Sequence, residues 1–283
     1  MKILILGSTG MLGTYLVKYF DEHLQYQCFA ASRSGSTYQC NFKFLDDLFN
    51  TIDDINPDVV VNSVAMTSLV ECNNNKAEAL HVNGLAPIEI SRHCKQRKIK
   101  YIQISSDHFY SSNDGIRKHT ELDKTIILNE YARGKLLAER GIVNNNSEAL
   151  IIRTAILGRT NQNRSLLDWM LTNIINEQEV SLLFNVFSSA IHCKSLCKLL
   201  EELLKVNVSG IYNVGTNSVF SYGTLYLEIA NYMGIQPRYK ILDFLDDGIT
   251  RSTNRGLSIK KLKKIIPIIP SYEDLIAEII DEE

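Results

Sequence analysis

The stretch Met1-Lys2-Ile3-Leu4-Ile5-Leu6-Gly7-Ser8-Thr9-Gly10-Met11-Leu12-Gly13 decides the fold. A short apolar run suited to a buried strand leads directly into glycines at 7, 10 and 13, and an amphipathic stretch follows over 11–23. That is strand, tight turn, helix. The glycines fall where the turn is tightest, where backbone must approach a pyrophosphate, and where the helix packs on the sheet. A helix N-terminus adds unsatisfied N–H groups and the positive end of a dipole to such a phosphate site. Gly7, Thr9, Gly10, Met11, Leu12 and Gly13 are therefore the first candidate cofactor-binding residues.

Outward from this turn, apolar runs near 27–31, 58–62, 100–105 and 149–153 alternate with helical patterns near 45–54, 75–97 and 129–143. Such alternation is the mark of consecutive βαβ units on a parallel sheet. The unbroken valines of Asp58-Val59-Val60-Val61-Asn62 suit a strand covered on both faces. Right-handed crossovers then give an α/β fold with a doubly wound parallel sheet, a Rossmann domain over 1–154. Past 154 the rhythm turns irregular, with helices near 164–177, 193–206 and 272–282 and a helix capped by Ser221 and stopped at Gly234. A short strand is expected near 180–184, and a strand near 210–214 returns to the first sheet. Residues 155–283 are expected to form mainly a smaller C-terminal α/β substrate lobe.

Composition narrows the function. Thirty basic against 32 acidic side chains give a net charge of −2. That balance excludes a general polyanion binder, which needs a clustered cationic surface, so no nucleic-acid partner is expected. At 45% hydrophobic and 22% charged residues the chain reads as globular. No apolar run reaches the ~18 residues of a membrane span, and the N-terminal run is too short for a signal peptide, so a cytoplasmic location and no membrane partner are expected. Cys28, Cys40, Cys72, Cys94, Cys193 and Cys197 form no CxxC pair and read as reduced, mostly buried side chains. His81, His93, His119 and His192 are scattered, and no metal site is expected.

Two further constellations carry chemistry. At the end of the second strand, where an NAD site places an acid on the ribose 2′-hydroxyl, the chain has Ser32-Arg33-Ser34. An arginine can pair with a 2′-phosphate through two N–H donors, which favours NADPH, with NADH possible. Tyr131 and Lys135 stand i, i+4 on the helix near 129–143 and share a face. A nearby ammonium stabilises phenolate and readies the phenol for proton transfer. Ser106, at the end of the strand Ile104-Ser105-Ser106-Asp107, can hydrogen-bond the reacting oxygen. Together the three describe reduction of a carbonyl, with Tyr131 as acid, Lys135 as its activator and Ser106 orienting the substrate.

These residues resemble the extended short-chain dehydrogenase/reductases, most closely the dTDP-4-dehydrorhamnose reductases. The likeness runs over nearly the whole chain: the glycines at 7–13, Pro57-Asp58-Val59-Val60-Val61-Asn62-Ser63-Val64-Ala65-Met66-Thr67, Val82-Asn83, Ile104-Ser105-Ser106-Asp107, Tyr131-x3-Lys135-Leu136-x2-Glu139 and Ile152-Arg153-Thr154. It implies an NADPH- or NADH-dependent reductase of a nucleotide-linked 4-keto-6-deoxy sugar, serving deoxysugar and polysaccharide biosynthesis. By the same likeness Ser106, Tyr131 and Lys135 are catalytic, Ala65 and Thr67 run beside the cofactor, and Asn83 lies on a helix behind the site. Ser106, Asp107, His108, Asn185 and Arg251 become candidate substrate contacts, Arg251 through an element similar to the family's Arg-Pro-x-Asn-x-x-Leu.

Departures accompany the match. The family's acid near adenine is Asn41 here, its Tyr-Val-Phe-Asp-Gly after the triplet begins with His108, and its Asp-Gln-x-Gly-x-Pro-Thr becomes Phe184-Asn185-Val186-Phe187-Ser188-Ser189-Ala190. Ser252 replaces the proline after Arg251, and His108 also reads as an ordinary packed or solvated histidine. Two alternatives stay open: an epimerase or dehydratase of the same superfamily, and a nucleotide-binding regulatory subunit without catalysis. Some relatives use Mg²⁺ at a dimer interface. The terminal Asp281-Glu282-Glu283 does not establish such an ion, and a homodimer is expected only by analogy.

Overall fold

The computed structural model describes residues 1–111, 116–160, 162–244 and 248–282, so Glu283 of the acidic terminus lies outside the described residues. A seven-stranded sheet carries the first half. Its strands are β1 (Lys2–Leu6), β2 (Gln27–Ser32), β3 (Tyr38–Gln39), β4 (Val59–Asn62), β5 (Lys100–Ile104), β6 (Leu150–Arg153) and β7 (Gly210–Asn213). The order across the sheet is β7-β6-β5-β4-β1-β2-β3. β1 pairs in parallel with β2 and β4, β2 with β3, β4 with β5 and β5 with β6. Six of these strands lie where the apolar runs predict them, and Val59, Val60 and Val61 are buried as a doubly covered strand requires. Strand order reverses on either side of β1, so the carboxyl ends of β1 and β4 flank the crevice where doubly wound sheets take ligands.

The amphipathic stretch near 75–97 is not one helix. It is built from Lys76–Leu80, a π-helical turn His81–Leu85, and Ala86–Gln96, which carries Pro87 in its first turn. A proline cannot donate to the carbonyl four residues back and its ring crowds that carbonyl, which here belongs to Asn83 inside the widened turn. The following long helix, Glu130–Asn145, starts at Asn129, whose side chain accepts from Ala132 N at 2.9 Å.

The chain divides into two compact units: Met1–Ser106 with Ile127–Arg153 and Leu203–Tyr212, and Asp107–Ile126 with Thr154–Glu202 and Asn213–Glu283. The chain passes from the first unit to the second between Arg153 and Thr154. The stretch 107–126, read with the first domain from its place in the sequence, falls in the second unit, where His119 bridges to Leu257 and stacks on Tyr110 at 4.8 Å.

The second unit packs Leu167, Met170 and Leu171 against Leu225, Tyr226, Ile229, Leu275 and Ile279. Capping boxes at Ser165/Asp168 and Ser271/Asp274 and the cap at Ser221 start its helices. It also has a three-stranded sheet that no periodicity announced, with Phe187–Ser188 between Phe220–Ser221 and Asn254–Arg255. Five cysteines are buried, Cys28 is partly so, and all six are free. Among the described residues no helix is long and apolar enough to cross a membrane.

Gly13 sets the distance between the first helix and the turn, since a Cβ there would stand 2.0 Å from the Gly7 carbonyl oxygen. Gly13→Ala is expected to cost about 1–3 kcal/mol in urea denaturation through forced backbone shifts. Gly10→Ala, whose Cβ would meet the same oxygen at 3.2 Å, should cost distinctly less.

Candidate active site

The first unit holds a cleft of about 460 Å³ at the carboxyl ends of β1, β2 and β4. Gly7 turns the chain out of β1 with φ +83°, its N–H donating to Ala31 O at 2.8 Å. A Cβ on Gly7 would meet Ser63 Oγ at 3.0 Å, so only glycine lets the two strand ends approach this closely. The helix Met11–Asp21 begins at Gly10, which provides no side-chain cap. Its first N–H groups remain available to an anion, and the cradle fits the pyrophosphate of a dinucleotide.

Eight of the expected cofactor residues line the cleft: Gly7, Thr9, Gly10, Ser32, Arg33, Asn41, Ala65 and Thr67. Met11, Leu12 and Gly13 are not among the lining residues. Met11 opens the helix, Leu12 is buried, and Gly13 packs beneath the turn. Asn83 in the π-turn holds the wall segment by a two-way bond with Met66, accepting from its N at 2.8 Å and donating to its O at 2.9 Å. Sequence reasoning missed Lys43, which lines the cleft beside Asn41 and pairs with Glu78 at 2.9 Å. It lies ten residues beyond Arg33 on the far side of β3, where no periodic signal points to it.

The expected catalytic residues also gather in the first unit. Tyr131 and Lys135 line neither the outer surface nor the cleft wall. They are 9% and 3% exposed, with Lys135 Nζ 6.0 Å from the Tyr131 ring centre. Tyr131 clusters with Cys72 and Ala79, and Met66, a wall residue of the cleft, packs against the same cluster. Lys135 Nζ donates to the Ile104 carbonyl at 3.0 Å, tying the helix to the end of β5. Ser106, buried, follows two residues later. One turn beyond Lys135, Glu139 accepts from Ser105 Oγ at 2.6 Å and from Arg153 Nη2 at 2.7 Å. Burial pushes the Lys135 ammonium down to about 8, against the pull of Glu139 and Cys72.

The expected substrate residues lie in the second unit, apart from Ser106. Asp107 is buried and accepts from Ser188 Oγ at 3.0 Å. Burial raises its carboxyl, partly offset by Arg255 and Ser188. His108 is hydrogen bonded to Arg255. Asn185 Nδ2 donates to Asp243 O at 2.7 Å and ties its segment to the one around 243, while Arg251 Nη1 donates to Ile249 O at 3.2 Å within its own loop. Arg255, Ser188 and Tyr222 were not singled out from the sequence.

The sequence profile of the RmlD substrate binding domain matches residues 1–283. The chain belongs to the RmlD substrate-binding domain family. It is thereby an oxidoreductase of the short-chain dehydrogenase/reductase superfamily. This RmlD-family chain is 26% identical over 228 residues to a probable low-salt glycan biosynthesis reductase of Haloferax volcanii, covering 77% of this chain and 75% of the relative. It is 24% identical over 252 residues to the dTDP-4-dehydrorhamnose reductase of Escherichia coli, covering 83% and 80%. Its fold matches that of a dTDP-4-dehydrorhamnose reductase from Bacillus anthracis, solved in complex with NADP, with a TM-score of 0.89, 16% identity and coverage of 100% and 99%.

The low Lys135 value carries a sign. Between about 8 and its ordinary 10.5 the unfolded chain binds the proton more readily than the fold, so stability rises with pH across that window. Lys135→Met is expected to abolish this rise. In urea melts at the two ends of the window the wild type should gain roughly 2 kcal/mol relative to the variant.

Proposed function

We propose that this chain is an NADPH-dependent reductase of a nucleotide-linked 4-keto-6-deoxy sugar, acting in glycan or polysaccharide biosynthesis. The observation that carries the reading is that Tyr131 and the dinucleotide cleft share Met66 as a common wall, with Lys135 buried one turn behind the phenol. The relatives' names supply the substrate class, and the cleft supplies the cofactor class.

When bound, the reduced nicotinamide supplies the hydride that reaches the carbonyl carbon. Gly7, Gly10 and the start of the first helix would hold the cofactor's pyrophosphate, and Ala65 and Thr67 line the same cleft. Arg33 would pair with a 2′-phosphate, and Asn41 would offer it no repelling charge. Tyr131 gives its phenolic proton to the carbonyl oxygen, which becomes the product hydroxyl. Lys135 stays fixed by the Ile104 carbonyl and stabilises the phenolate left behind. Ser106 donates a hydrogen bond to the same oxygen and orients it. Burial of all three excludes water, which strengthens each electrostatic contribution.

The test offers NADPH with 4-keto-6-deoxy sugars linked to dTDP, GDP, UDP and CDP. Oxidation of NADPH with at least one is expected, and no absorbance change with any would overturn the reading. Tyr131→Phe should lower kcat by about 100-fold or more, the scale of general acid catalysis, while the Kd for NADPH stays unchanged. Arg33→Ala should weaken NADPH by roughly 10-fold in KM and leave NADH unaffected, since a charge-assisted hydrogen bond is worth about that much.

A further inference from the structure

The turn after β3 brings a second cation into the cleft of the first unit. β2 and β3 run in parallel with Ser32 beside Gln39, and Cys40 N donates to Ser32 O at 2.9 Å, so the two strands end side by side. Arg33 leaves the first of these ends and the turn 41–44 leaves the second. Three hydrogen bonds fix that turn: Lys43 N donates to Asn41 Oδ1 at 3.0 Å, Phe44 N to Asn41 O at 2.9 Å, and His81 Nε2 to Phe42 O at 3.0 Å. Lys43 therefore enters the cavity that Arg33 lines from anchored backbone.

Its partner belongs to the chain that follows β4, on the opposite flank of β1 in the sheet order. Glu78, on the helix Lys76–Leu80, meets Lys43 Nζ at 2.9 Å. The two side chains are 51% and 38% exposed, and a pair this open contributes little to folding. The charged residues of the cleft wall are Arg33, Lys43, Glu71 and Glu78. Beside β2 and β3 the lining side chains of Arg33, Asn41 and Lys43 offer a guanidinium, an amide whose oxygen already accepts from Lys43 N, and an ammonium. Such a set favours a ligand group made of acceptors.

We propose that Lys43 is a second cation for the adenosine 2′-phosphate, next to Arg33, and that Glu78 is the counter-ion it gives up for that phosphate, so that the pair sets how far NADPH is preferred over NADH. This rests on the reading of the cleft as a dinucleotide site. A phosphate monoester carries about −1.5 to −2 charges near neutrality and three acceptor oxygens, against the single charge of Glu78. An ammonium is a rotatable point charge on a flexible stem, so Lys43 can turn from one anion to the other while its backbone stays in place. NADH presents a 2′-hydroxyl, which cannot replace Glu78, and the pair stays closed.

Calorimetric titration of the full-length protein with NADPH and NADH, and with the fragments 2′,5′-ADP and 5′-AMP, tests this without any sugar nucleotide. Lys43→Met should raise Kd for NADPH and 2′,5′-ADP about 10-fold, the scale of one charged hydrogen bond, and leave NADH and 5′-AMP within about twofold. Lys43→Arg, which keeps the charge, should hold the preference for NADPH within about threefold. Glu78→Gln should act in the opposite direction and tighten NADPH about threefold, the scale of an exposed pair, and the gain should vanish in the Lys43→Met/Glu78→Gln double variant because Glu78 acts through Lys43.

An ion pair that served only to hold the two segments together would weaken all four ligands when cut from either end. Equal effects of Lys43→Met on the phosphorylated and unphosphorylated ligands, or weaker NADPH binding by Glu78→Gln, would overturn the assignment of Lys43 and Glu78 while leaving the cleft a dinucleotide site. A wild type that binds none of these ligands would overturn the dinucleotide reading itself and the assignment with it.

Discussion

The buried ammonium of Lys135 is the constraint around which the candidate residues Tyr131, Lys135 and Ser106 are arranged. Taking a charge out of water is costly unless its hydrogen bonds are replaced, and the Ile104 carbonyl at the end of β5 provides the replacement. That bond fixes the rotation of the helix Glu130–Asn145. Positions 131, 135 and 139 share one face, because neighbours four apart stand above one another on a helix. Once Lys135 meets β5, Tyr131 is set against the Met66 wall and Glu139 reaches Ser105 and Arg153. A slip of one residue would turn the face by about 100° and lose all three contacts together.

The cleft obeys a different constraint, the closeness of the two strand ends at the point where the sheet reverses. Gly7 can take its left-handed conformation and leave room for Ser63, whose hydroxyl donates to Leu6 O at 2.7 Å. The segment that follows β4 would otherwise be a loose loop. It is held by Asn83, and Asn83 is presented by a π-turn that Pro87 imposes on the helix behind it. A single proline thus shapes the wall of the cleft.

Much of this was legible in the sequence, for physical reasons. Strands buried on both faces are continuous apolar runs with polar ends, so β1, β4, β5 and β6 stand out. The i, i+4 spacing of Tyr131 and Lys135 states that the two share a face before any coordinates do. The glycine turn was legible as a whole, yet its residues divide into those that line the cleft and those, Leu12 and Gly13, that pack beneath it. Gly13 packs on Gly7 and Ser8 of the same turn, and the glycine spacing alone does not say which face of the turn each residue takes. Local spacing is equally silent on Lys43, whose partner Glu78 belongs to another element, and on the stretch 107–126, whose packing against Leu257 overrides its position between two strands of the first sheet. Two-residue strands such as Phe187–Ser188 span one alternation and leave no period to detect.

The buried polar cluster of the second unit illustrates why that half resists reading. Asp107, His108, Ser188, Tyr222 and Arg255 come from four separated stretches, and each alone looks like an ordinary polar residue. Brought together they satisfy one another: the carboxylate offsets the buried guanidinium, the serine holds the carboxylate, the aromatic face covers the cation, and the imidazole accepts from it. Removing one member would leave a buried charge unpaired, which costs far more than any surface change. His108 accepts from Arg255, and the guanidinium is held by both that acceptor and the Asp107 carboxylate, so the burial of each member depends on the others.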